Sequence, residues 1–240
     1  MSKICLIRQP AGIGDIFFTQ KIAKDYISKG YLVIWPVIEQ FEFIKDYIKV
    51  DGLIFVNENA DFPHNNFYRE GYSKPTMINE HDIYLPIQHF DRTFPEISVM
   101  QAKYKMMDMN SSDWLEYFDF QRNLEREQKL IDHYGVQDKE FVFVNRMFGS
   151  PPHSKPCPHM GEFENSVEME YLGWDNLFDW IGLLLKAKHI YTVETSILYI
   201  ISKLGLKNVT VYSRHASPSF HQVEHIFDKD LTYILLHMYQ

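Results

Sequence analysis

The chain has 240 residues, 45% of them hydrophobic and 15% aromatic, with 24 basic against 32 acidic side chains and a formal charge of −8. This composition excludes a disordered chain, and the acidic balance speaks against nucleic acid or an anionic membrane surface as a partner. No apolar run approaches the roughly 20 residues of a membrane span, so at most peripheral membrane contact is expected.

In chain order, Ile4–Ile7 reads as a short buried strand, followed by a Gly-containing turn and a helix over "DIFFTQKIAKDYISKG" that Gly30 closes. "YLVIWPVI" reads as a second strand, "QFEFIKDYI" as a helix and "GLIFV" as a third strand. Residues Asn57–Tyr84 are polar and interrupted by Gly, Pro and Asn, so few elements are expected there before the strand "HDIYLPI". A helix is expected over Glu96–Met109, then a linker and a charged helix that Gly135 ends. A second alternating block begins with a strand at about Glu140–Asn145. It continues with the helix "NLFDWIGLLLKA", the strand "HIYTV", the helix "TSILYIISKLGL" and the strand "NVTVYS".

Strands alternating with helices imply mostly parallel sheets. The expected architecture is α/β, with two Rossmann-like domains facing across a cleft, one over residues 1–137 and the other over 138–240. The chain enters a strand at once without a signal-peptide layout, and Cys5 and Cys157 form no disulfide framework. A cytoplasmic protein is the expectation.

Ligands of open α/β sheets sit beyond the carboxyl ends of the strands, which is where "RQPAGIGDI" lies. Gly12 and Gly14 let the chain turn tightly against a ligand, and Asp15 is either a chemical group or the cap of a helix starting at Ile16. A dinucleotide fingerprint requires a third glycine where this chain has Phe17. Cys157 and His159 have no second cluster nearby in sequence to complete four ligands, so no metal site is expected. No G-x-S-x-G elbow is present, and Cys5 lies inside a core strand, which leaves no obvious covalent nucleophile.

"IRQPAGIGDIFFTQKIAKDY" resembles the opening of the heptosyltransferase-like glycosyltransferases of family 9, whose first strand leads through an Arg-containing loop to a Gly-Asp pair. The resemblance implies a compact GT-B fold and makes Asp15 the general base that deprotonates an acceptor sugar hydroxyl. Arg8 would tune it or hold an acceptor phosphate or carboxylate. In the second half, "VFVNRMFGSPPHSKPCPH" matches the family's diphosphate loop, with Arg146, Ser150, Ser154 and Lys155 as donors. The family's Asp-Thr-Gly turn corresponds to Glu194, Thr195 and Ser196, and Tyr199 stands where a His is usual. That turn opens a helix whose N–H groups attract an anion, or else Thr195 or Ser196 simply caps it. Arg214, after the next strand, would reach a phosphate. Asp91, Arg92, Lys103 and Tyr104 would line the acceptor side.

The function implied is an inverting, metal-independent glycosyltransferase of polysaccharide biosynthesis. It would use a nucleotide-sugar donor as substrate rather than a cofactor, and a glycan or glycolipid hydroxyl as acceptor. Two other readings remain: a non-catalytic nucleotide-sugar or glycan binding protein derived from such an enzyme, and a two-domain epimerase, for which Asp15 has no clear partner carboxylate.

Overall fold

The apolar run after Met1 becomes the central strand of a sheet. In the computed structural model, which describes residues 3–89, 98–149, 154–213, 227 and 230–236, the chain divides into two compact units, Met1–Gln121 and Arg122–Gln240. The first contains β1 (Lys3–Ile7), α1 (Ile13–Ser28), β2 (Tyr31–Val37), a 3-10 turn (Glu39–Phe41), α2 (Ile44–Tyr47) and β3 (Leu53–Asn57). It continues through α3 (Asn65–Glu70), β4 (Thr76–Met77), β5 (Ile83–Leu85), α4 (Val99–Met106) and α5 (Trp114–Tyr117).

The strand order is β3-β2-β1-β5-β4, parallel throughout except for β4, which pairs antiparallel with β5. Ile16, Phe17, Phe18, Ile22 and Ala23 of α1 are buried, and Phe17 stacks on Phe118 at 4.7 Å between ring centroids. Near-complete burial around its middle turns means that packing rather than propensity holds this helix. Helix α1 begins three residues before the expected Ile16, and Gly12 is its N-cap. The expected helix over "QFEFIKDYI" is broken into the 3-10 turn and α2.

The second unit contains α6 (Leu124–Tyr134), β6 (Val142–Asn145), β7 (Met147–Phe148), β8 (Lys155–Pro156) and β9 (Ser166–Glu168). A 3-10 turn (Leu177–Trp180), α7 (Ile181–Lys186), β10 (His189–Val193), α8 (Ile197–Leu204), β11 (Val209–Ser213) and β12 (Thr232–Leu235) complete it. Its main sheet runs β12-β11-β10-β6-β9, all parallel, and β7 with β8 forms a separate two-stranded ribbon. Val144, Phe148, Cys157, Met160, Val193, Tyr212 and Leu236 form one buried cluster there.

The units divide after Gln121, whereas the sequence places the division after residue 137. The reason is α6, which packs on α7 so closely that a Cβ on Gly182 would meet Glu127 and Ile131 atoms at 3.1 Å. The Arg126 guanidinium also grips the buried Asp179 carboxylate through two hydrogen bonds of 2.9 and 2.7 Å. No helix among the described residues is long and apolar enough to cross a membrane.

Candidate active site

Strand β1 is flanked by β2, which follows it through α1, and by β5 on its other side. The sheet therefore changes direction at β1, and the loop Arg8–Gly12 leaves its carboxyl end where such folds bind ligands. Gly12 has φ +79, a conformation that L side chains rarely adopt, and a Cβ there would lie 2.5 Å from Asp15 Oδ2. Gly14, expected in the turn, is instead the second residue of α1 and lacks the positive φ of Gly12.

Asp15 is the third residue of α1, so it is not the N-cap that the alternative reading required. Its Oδ1 is ion-paired with Lys103, whose side chain is 3% exposed against 29% for Asp15. Lys103 Nζ also donates to Gln9 Oε1 at 2.6 Å. Gln9 is itself fixed, because its side-chain amide donates to Ala11 O at 2.5 Å and its backbone carbonyl accepts from Trp35 Nε1 at 3.0 Å. The Thr19 hydroxyl donates to Asp15 O at 2.6 Å and secures the first turn.

Arg8 is not the cation that pairs with Asp15. Its guanidinium lies over the Tyr68 ring at 5.1 Å and reaches the Tyr84 hydroxyl at 3.4 Å, while its Nε has no hydrogen-bond partner among the described residues. Burial pushes the Tyr84 phenol up, with Arg8 opposing, and burial together with the Arg8 charge pulls the His89 imidazole down.

In the second unit the carboxyl ends of β6, β10 and β11 converge. Asn145, the last residue of β6, donates from Nδ2 to Thr192 Oγ1 at 3.0 Å and to Thr195 Oγ1 at 3.1 Å. Glu194 is 7% exposed and accepts from Ser213 Oγ at 2.7 Å. Ser196 makes no side-chain cap, and Thr195 is engaged by Asn145, so the simple-cap reading fails for both hydroxyls. Tyr199 packs edge-on against Phe227 and is buried. Burial, with Glu194 adding to it, pushes the Tyr233 phenol well up.

Arg146 does not present the open fork expected of a diphosphate ligand. Its Nε and Nη2 hold the Glu168 carboxylate at 2.9–3.1 Å, and its Nη1 donates to the carbonyls of Met160 and Gly161 at 2.6 and 2.8 Å. A guanidinium has five N–H donors, and this pattern engages four of them. Lys155 is exposed on β8. Ser150, Arg214, Asp91 and Arg92 lie outside the described residues.

Sequence reasoning missed Gln9, Asn145 and Ser213 and took Lys103 for an acceptor-side contact. The signal for Lys103 was present: it shares an apolar helical face with Met100 and Tyr104, three residues before it and one after.

No family model matches the chain, and no curated protein does. Solved structures do match. A glycosyl transferase of family 9 from Veillonella parvula DSM 2008 is 10% identical with a TM-score of 0.53, over 98% of this chain and 85% of that one. The iron-containing, dodecameric heptosyltransferase TibC in complex with ADP-D-beta-D-heptose gives 10% identity and a TM-score of 0.52, over 97% of this chain and 62% of that one. TibC from enterotoxigenic E. coli H10407 gives 8% and 0.54, over 97% and 64%. This chain thus spans less than two thirds of the TibC chains. At such identities the likeness establishes the fold, an α/β fold shared with family 9 glycosyltransferases.

Proposed function

We propose that this chain is a glycosyltransferase that moves a sugar from a nucleotide-sugar donor to a hydroxyl of a glycan or glycolipid. The observation that carries the reading is the state of Asp15. A helix cap would turn its carboxylate onto the first-turn N–H groups, yet here it is drawn off them by a buried ammonium at the carboxyl end of β1.

In the mechanism, Asp15 takes the acceptor proton as the hydroxyl oxygen bonds to the anomeric carbon from the side opposite the leaving group, inverting that carbon. The bond from that carbon to the diphosphate breaks, and its electron pair leaves with the phosphate. The second unit holds the donor, with the N–H groups of the turn at Thr195 and Ser196 and the Lys155 ammonium on the phosphates. These groups offset the leaving charge without a metal ion, and the nucleotide sugar is a substrate rather than a cofactor. The proposed setting of the reaction is the cytoplasm, in polysaccharide assembly. Arg146 is a structural residue in this scheme, tying β6 to β9 through Glu168.

The test is a thermal-shift panel of nucleotide diphosphates and nucleotide sugars, followed by transfer assays on any hit. A ligand at 100 times its Kd stabilises by about 2.7 kcal/mol. A selective shift with one nucleotide sugar, and loss of transfer in Asp15→Asn at unchanged donor affinity, is the expected outcome. A shift without any transfer would favour the non-catalytic binding protein, and no shift in folded protein would count against the transferase and leave a glycan-binding protein.

A further inference from the structure

We propose that Lys103 is the positioning residue of this site, holding the Asp15 carboxylate by one oxygen so that the other receives the acceptor proton. The inference rests on the reading of Asp15 as the base.

Lys103 enters from α4, where Met100 and Tyr104 beside it are fully buried. An apolar side chain would satisfy packing at that position, and an ammonium taken out of water there carries a desolvation penalty that only well-placed partners offset. Its partners come from a different part of the chain: Asp15 Oδ1 and Gln9 Oε1. Because Trp35 and Ala11 hold Gln9, the line Trp35–Gln9–Lys103–Asp15 runs from the sheet core to the carboxylate without a loose joint.

Asp15 alone would behave differently. As the third residue of α1 it can fold back onto the N–H groups of the first turn, toward the positive end of the helix. The ammonium opposes that movement. It leaves Oδ2 against the bare Cα of Gly12, with no hydrogen-bond partner among the described residues and on a side chain 29% exposed. Lys21, the other buried lysine of α1's surroundings, is already committed to Asp113 and to Asn110 O at 2.7 Å, so it does not substitute. The proton moves from the acceptor hydroxyl to Oδ2, and Lys103 keeps its own.

The experiment is a double-mutant cycle of Asp15→Asn, Lys103→Met and the pair, with kcat, donor Kd and the crystal structure of Lys103→Met as readouts. Lys103→Met should lower kcat about 10²-fold, the scale of an ångström's misplacement, at unchanged donor Kd. It should cost nothing further in the Asp15→Asn background, because the two residues act as one unit. The crystal structure should show the Asp15 carboxylate turned onto the first-turn N–H groups. Wild-type kcat, an undiminished loss in the Asp15→Asn background, or a carboxylate still in place would each overturn the proposal. If Lys103→Met does not fold, the same cycle and structure are read on Lys103→Gln. Full transfer by Asp15→Asn would defeat the base assignment instead, and the carboxylate position in the Lys103 variant would still decide whether Lys103 places it.

Discussion

Gly12 separates backbone need from site need. A side chain there meets two obstacles: the positive φ, which costs a non-glycine residue about 1–3 kcal/mol, and the Asp15 carboxylate 2.5 Å from the new Cβ. Gly30 has a similar φ of +84, but a Cβ added there meets nothing within 4 Å. Alanine at Gly30 should therefore lower stability in thermal melts by the backbone cost alone, and alanine at Gly12 by at least as much. Only Gly12→Ala should also lower kcat, because its methyl group displaces the carboxylate; equal activity losses in the two variants would contradict this account of the loop. The residue type and strand-end position of Asp15 were legible in the sequence, since Gly-Asp after an apolar run marks a tight turn at a sheet's carboxyl end. Its partner was not, because Lys103 lies 88 residues away and only the folded chain brings the two together. Arg146 was misread for the converse reason: an arginine after a strand looks free until Glu168, from a short strand the sequence did not reveal, closes on it.

Short elements are held by side chains more than by their own ladders. The turn between β4 and β5 is tied to the start of β1 by Asp82. Its Oδ1 accepts from Ile4 N at 2.8 Å, and its Oδ2 from Asn79 Nδ2 at 2.8 Å and from His64 Nε2 at 2.9 Å. Burial raises this carboxyl, but the three donors outweigh it and hold its pKa below the ordinary value. A carboxyl with a depressed folded-state pKa stabilises fully above its unfolded value, near 3.9, and loses that contribution as pH falls through the folded value. Asp82→Asn should accordingly cost about 1.5–3 kcal/mol at pH 7, the range for hydrogen bonds to a charged group, and that deficit should shrink in strong acid, as pH falls through the depressed folded-state value. A variant whose deficit is the same at pH 7 and in strong acid would show that charge plays no part in the tie. The same physics explains which elements were legible. β1, β2, β3, β6, β10 and β11 are apolar runs that announce themselves, whereas β4, β9 and β12 are two to four residues long and half exposed, and their pairing is decided by neighbours distant in sequence.

Among the described residues, each of the two units carries a five-stranded sheet built from its own strands. Contact order within each is set by β-α-β crossovers between parallel strands, the kind of local topology that folds as a unit. The alternation of strands and helices therefore disclosed two blocks, but not which one owns α6. That helix is highly charged, and its buried apolar positions, Leu130 and Ile131, do not say which sheet they cover. Asp179 settles the matter physically, since a buried carboxylate requires the Arg126 guanidinium that α6 supplies. A fragment beginning at Arg122 keeps this pair, whereas one beginning at Asp138 strands Asp179 without its arginine and uncovers Gly182. Expressed alone, residues 122–240 should unfold in a single cooperative denaturant transition, and residues 138–240 should be unfolded or lack a cooperative baseline, because breaking a buried pair costs about 3–5 kcal/mol of a total on the order of 5–15. Equal stability of the two fragments would place α6 with the first unit instead. The longer fragment contains Asn145, Glu194, Thr195 and Ser213 and so is also the piece in which the proposed donor binding can be tested apart from the proposed transfer, with Asp15 and Lys103 absent.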